Sequence, residues 1–151
     1  MNTTRTILIL ALACLMTTAC NTPTALPKDN YVMNFNRDEV WVLTAMRQRE
    51  VNYSAGQEKL TLSLNPEAMN ISGSAGCNSY FGTYTYTPTA DDRGALTFSH
   101  MGSTKMMCPD PVMKLEDQYL PLISKTTSCV ITAYKLTLLQ GDKIILEFEK
   151  Q

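Results

Sequence analysis

Residues 130–149 read VITAYKLTLLQGDKIILEFE. Val130–Leu139 and Lys143–Glu149 are apolar, β-favouring runs on either side of Gln140-Gly141-Asp142, a turn sequence. The stretch therefore predicts a pair of antiparallel strands closed by a hairpin. The period-two parity supports it, because Leu136 and Leu138 then share a face with Ile144, Leu146 and Phe148. Upstream, Lys59–Leu64 (KLTLSL) alternates strictly, with Leu60, Leu62 and Leu64 on one face and Pro66 ending the run. Glu39–Ala45 (EVWVLTA), Met69–Ser74, Tyr80–Thr87 (YFGTYTYT) and Leu96–Met101 add further strands. Gly56 with its polar neighbours, and Pro88–Gly94 (PTADDRG), read as turns.

One stretch has helical spacing. Asp110-Pro111 places a capping residue before a proline at the first helical position. Val112, Leu115, Tyr119, Leu122 and Ile123 follow as an apolar stripe. Pro121 lies inside it and is expected to kink or end the helix near Leu120. The count is about seven strands and one helix, without strand–helix alternation. It predicts an α+β domain: an antiparallel β-sheet, curled or partly closed, with one α-helix over an open face or end.

The composition narrows the function. The chain has 151 residues, 44% of them apolar, which suits one domain plus a processed segment and excludes a disordered chain. Thirteen Lys plus Arg against 14 Asp plus Glu give a net charge of −1, which lacks the basic footprint of a nucleic-acid binder. A single His removes most zinc chemistry and the familiar catalytic triads. No cofactor, metal or catalytic set is expected.

Residues 1–20 read MNTTRTILILALACLMTTAC. One charge, Arg5, precedes an apolar run from Ile7 to Met16, then the small residues Thr17, Thr18 and Ala19, then Cys20. That is a secretory signal; the run is too short to span a bilayer, which takes roughly 20 apolar residues. Thr17-Thr18-Ala19-Cys20 resembles the lipobox of bacterial lipoproteins, although Thr17 stands where Leu is usual. The resemblance implies a signal peptide over 1–19 and lipid attachment at Cys20, with two or more acyl chains giving stable anchoring. Residues 20–36 then read as a flexible tether and 37–151 as the domain.

Two motifs carry a further resemblance. Ser72–Tyr84 (SGSAGCNSYFGTY) resembles a G-x-x-G-C-N-x-[FY]-x-G-x-Y core, and Ser103–Pro109 (STKMMCP) an S-T-[RK]-M-x-C segment. Met113 and Glu116 fit an M-x-x-E on the helix, and Trp41-Val42-Leu43 an opening W-x-L. Together they resemble the META, or HslJ-like, domain family of bacterial envelope lipoproteins, over about residues 40–149. That family is linked to envelope stress and drug tolerance and has no agreed enzymatic activity. With Cys20 acylated, Cys77, Cys108 and Cys129 leave three pairings, and an exported domain favours an oxidised pair. The resemblance selects Cys77–Cys108, since both lie in family motifs. Asn78 and Lys105 beside that bond then form a small polar site for a possible interaction.

Other chemistry is thinner. The glycines of residues 72–82 lack the Lys-Ser/Thr ending of a phosphate loop and read as turns and bulges. His100, Met101, Met106, Met107, Cys108 and Met113 offer soft ligands suited to Cu(I), but Met is also ordinary core filler. His100 and Cys108 are the one nucleophile–base pair, without an orienting acid nearby. Tyr84 and Tyr86 share a face that either binds a partner or covers the core. The expectation is a non-enzymatic, lipid-anchored envelope protein contacting an unknown envelope protein, facing the periplasm from the outer membrane. Rival readings are an inhibitor of a secreted protease or lysozyme, favoured by a protruding loop at 88–94 or 102–110, and a copper or redox protein.

Overall fold

The computed structural model describes residues 39–90 and 92–151. The signal peptide, Cys20 and the tether lie outside the described residues. The chain runs β1 (Val40–Met46), β2 (Arg49–Glu50), β3 (Thr61–Asn65), β4 (Asn70–Ser74), β5 (Ser79–Ala90), β6 (Arg93–Ser103), α1 (Asp110–Ser124), β7 (Ser128–Ile131), β8 (Lys135–Gln140) and β9 (Lys143–Lys150). All neighbouring strands pair antiparallel, in the order β2-β1-β3-β4-β5-β6-β7-β8-β9. β1 also pairs with β9, from Trp41↔Lys150 to Met46↔Leu146. The sheet is thus a closed eight-stranded barrel with β2 as an extra strand on β1.

The closure sharpens the expected curled sheet. Local alternation specifies strands, whereas the β1–β9 rung joins residues about a hundred positions apart and leaves no local signal. Two strands were not expected. β2 has two exposed residues, too few for a pattern. Val130–Leu139, read as one strand, divides into β7 and β8, because Thr132 caps a turn: its Oγ1 accepts from the Lys135 N–H at 3.1 Å. Pro88–Gly94, read as a turn cluster, lies mostly within β5 and β6, which pair as far as Ala90↔Arg93.

The barrel is filled by side chains. Trp41, Leu43, Leu62, Leu64, Leu136 and Phe148 are among its fully buried residues. Tyr84 is buried and Tyr86 half-buried against this core, so their shared face points inward. The C-terminal hairpin shows one shift from simple parity. Leu138 pairs with Leu146 but Leu139 with Ile144, so Ile145 is an extra residue. That bulge buries Ile145 and leaves Ile144 half-buried.

α1 lies across the end of the barrel at which β1, β4 and β6 finish and β3 and β5 begin. It buries Glu116, Tyr119, Leu122 and Ile123. The helix starts after Pro109, with no side-chain cap, and Pro111 sits in its first turn. It continues past Leu120 to Ser124 despite Pro121. The bond that Pro121 cannot make would go to the Asp117 carbonyl, and both residues are exposed, so the loss falls on the solvent side of the helix. Among the described residues, no helix is long and apolar enough to cross a membrane.

Candidate functional site

The two motifs meet beneath the start of α1. The disulfide is Cys77–Cys108, with Cα atoms 5.9 Å apart, and it ties the β4–β5 loop to the β6–α1 loop. Cys129 is a buried free thiol in β7, and burial pushes it up to about 12, far from a reactive thiolate.

Asn78, next in sequence to Cys77, organises the junction. It is only 2% exposed. Its side-chain amide donates to Glu116 Oε1 at 2.8 Å and to the Met106 carbonyl at 3.2 Å. Its Oδ1 accepts from Thr104 Oγ1 at 2.8 Å and from the Met106 N–H at 2.7 Å. Its own N–H donates to Glu116 Oε2 at 2.9 Å, and its carbonyl accepts from the Ala75 N–H at 2.7 Å. Every hydrogen-bonding position of Asn78 is therefore filled from within the domain. Glu116 is 6% exposed and both its carboxylate oxygens face Asn78. Asn78 and Glu116, both motif residues, thus form a polar clamp between loop and helix, and Asn78 has no group left for a partner. Lys105, beside it in space, is exposed and stands apart from this network.

A second clamp lies deeper. Tyr80 Oη and Tyr119 Oη are 2.8 Å apart, and both reach the Thr61 carbonyl, at 2.8 and 3.2 Å. The rings meet edge to face, and Tyr119 also contacts Phe148. Burial raises both phenols well above the ordinary range. Gly73 makes this possible, because a Cβ there would lie 2.0 Å from the Thr61 carbonyl oxygen and 2.8 Å from the Tyr80 ring. Gly76 turns the chain at φ +96°, as a glycine loop of structural purpose does.

What remains outward is the loop itself. Met106 is exposed and Met107 is 95% exposed, although the loop is fixed at Thr104, Met106 and Cys108. The candidate soft ligands are engaged in different ways. Cys108 is oxidised, Met101 packs on the core, and His100 Nδ1 lies 3.1 Å from Thr83 Oγ1 at a bulge in β6. The disulfide also removes the thiol from the His100–Cys108 pair. On the other side of Lys105, Met101, Gly102 and Ser103 of β6 and Leu120, Pro121 and Ser124 of α1 line a cleft of about 500 Å³.

A closed antiparallel barrel, plugged by one helix and stapled by a disulfide beside an Asn–Glu clamp, defines a compact β-barrel domain. The META domain family model matches residues 34–151, and the chain belongs to that family. A protein from Burkholderia xenovorans, solved by NMR, is similar at 26% identity, with 76% of this chain and 82% of that one covered and a TM-score of 0.57. A second NMR structure shares the fold at 23% identity, covering 75% of this chain and 89% of that one, with a TM-score of 0.53. No curated protein matches the chain.

Proposed function

We propose that this is a non-enzymatic, lipid-anchored protein of the bacterial envelope, held at Cys20, whose META domain contacts another envelope protein in a structural or stress-related role. The observation that carries the reading is the Met106–Met107 loop. Two large apolar side chains are held in solvent on a loop fixed by a disulfide and by Asn78, and a rigid exposed apolar feature is what a partner surface uses. The lipobox-like segment supplies the compartment, and the META family accords with it. The outer membrane, facing the periplasm, is the preferred location.

The test is a photo-crosslinking residue at position 107 in intact cells, with Asp142, exposed in the β8–β9 turn, as the reference position. A discrete protein adduct from 107 and none from 142 supports the reading; equal, diffuse labelling from both overturns it. Cys20→Ala should abolish lipid labelling and the adduct together. The same clamped loop favours a second reading, an inhibitor of a secreted enzyme that inserts residues 104–109. An adduct with a protease or lysozyme, whose activity falls on binding, would select it.

A further inference from the structure

We infer that the cleft between β6 and α1 accepts an extended, acidic peptide segment of another protein, added as a strand to β6. The inference rests on the reading of the domain as a protein-contacting module and names the kind of partner.

The observation is an open strand edge. β6 spans Arg93–Ser103, but β7 pairs with it only at Arg93, Gly94 and Ala95. One more rung follows, from the Leu96 N–H to the Thr127 carbonyl at 3.2 Å. Beyond it, no strand among the described residues borders that side of β6. The alternation of an antiparallel ladder says which groups face the gap. Leu96 points towards β7, so Phe98 does also. His100, at φ 52°, is the extra residue of a bulge, since Ser99 pairs with Thr83 but Gly102 with Phe81. After the bulge the Thr104 N–H donates to the Ser79 carbonyl at 3.0 Å, which sets Gly102 towards β5 and Met101 and Ser103 towards the gap. The main-chain groups of Phe98, Met101 and Ser103 thus line one edge.

Natural edges are usually blunted by proline, charge or cover. The other long open edge of this barrel is blunted: β4 leaves β5 after Thr83, the Tyr84 N–H makes one more bond to the Met69 carbonyl, and Pro88 follows on the side away from β6 that no strand among the described residues borders. The edge from Phe98 to Ser103 contains no proline, lysine or carboxylate. It is covered instead by α1, at a distance that leaves the cleft of about 500 Å³ walled by Leu120, Pro121 and Ser124. The volume suits a short extended segment, not a second sheet. A row of N–H and C=O groups repeating every two residues, about 6.6–6.8 Å, is matched by another peptide backbone. Among the residues lining the cleft, Lys105 alone carries a charge, so a carboxylate on the segment completes the match.

The experiment uses a displayed library of nine-residue peptides selected on the full chain, with amide exchange read by NMR. The expected result is enrichment of extended peptides carrying Asp or Glu, with the amides of Phe98, Met101 and Ser103 at least tenfold better protected when bound. N-methylation at alternate peptide positions should abolish binding in one parity and spare it in the other. Lys105→Glu should weaken acidic peptides at least tenfold, and Ser124→Trp should fill the cleft and block all of them. No enriched peptide, or binding that leaves the three amides unprotected, overturns the proposal. Protection of those amides by self-association, without peptide, also overturns it and assigns the edge to a second copy. If the adduct from position 107 survives Ser124→Trp, the envelope contact stands and strand addition fails; if no adduct forms in the unaltered chain, the underlying reading fails.

Discussion

The two flanks of α1 follow opposite rules. On one, Glu116, Tyr119 and Ile123 recur at three- and four-residue spacing and are buried against Asn78, Tyr80 and the barrel core. On the other, Leu120, Pro121 and Ser124 look across a cleft at a strand edge that no strand among the described residues borders. The first flank places a carboxyl group in the interior and gives each of its oxygens a hydrogen bond from Asn78, as a buried polar group requires. The second leaves backbone capacity unused within reach of solvent. One helix therefore both closes the barrel and frames its most open feature. The stabilising contacts and the proposed binding edge thus lie on opposite sides of the helix.

The barrel beneath both flanks should dominate the energetics. Trp41→Ala removes the largest fully buried side chain and should cost about 3–5 kcal/mol in a denaturant titration. A loss under about 1 kcal/mol would mean that the clamp, rather than the barrel, sets stability. Next comes the staple. Cys77→Ser with Cys108→Ser opens a loop of 31-residue separation and should cost about 3–4 kcal/mol by the chain-entropy estimate. Free Cys77 or Cys108 in the untreated protein, or a Cys129-containing disulfide by non-reducing mass spectrometry, would contradict the pairing. Glu116→Gln keeps the volume but sets an amide NH₂ against one of the two Asn78 donors. It should cost about 2–3 kcal/mol. A neutral result would show that the satisfied flank is not under constraint.

The alkaline limb of stability should follow the buried acids. Burial lifts the Cys129 thiol from 9.0 to about 12. A thiol raised in this way stays neutral in the fold while the unfolded chain ionises first. Stability is thus fully retained below pH 9 and falls as pH rises from 9 towards 12. Tyr80 and Tyr119, raised by burial from 10.0, steepen the fall. Cys129→Ala should flatten its beginning, measured as the denaturation midpoint between pH 8 and 11. The smallest effect belongs to the open flank: Lys105→Ala should change stability by less than about 0.5 kcal/mol. A larger change would join Lys105 to the clamp and erase the contrast.

Much of this protein is legible in its sequence because the signals are local. Alternation in Lys59–Leu64 and Lys143–Glu149 marks strands by the pleat, and the 110–123 stripe marks the helix by its turn. The GCN and STKMMC motifs identify the family, and within it the Cys77–Cys108 pair, without any coordinates. Asn78 was legible as a motif residue but not as a wholly internal one. Its role depends on Glu116, 38 positions away, and no spacing rule joins a loop to a helix at that distance. Closure of the barrel through β1 and β9, the division of Val130–Leu139, and the open edge of β6 were decided only by tertiary structure. Each depends on which strand ends adjacent to which, and that is fixed by long-range packing after local preference has been spent.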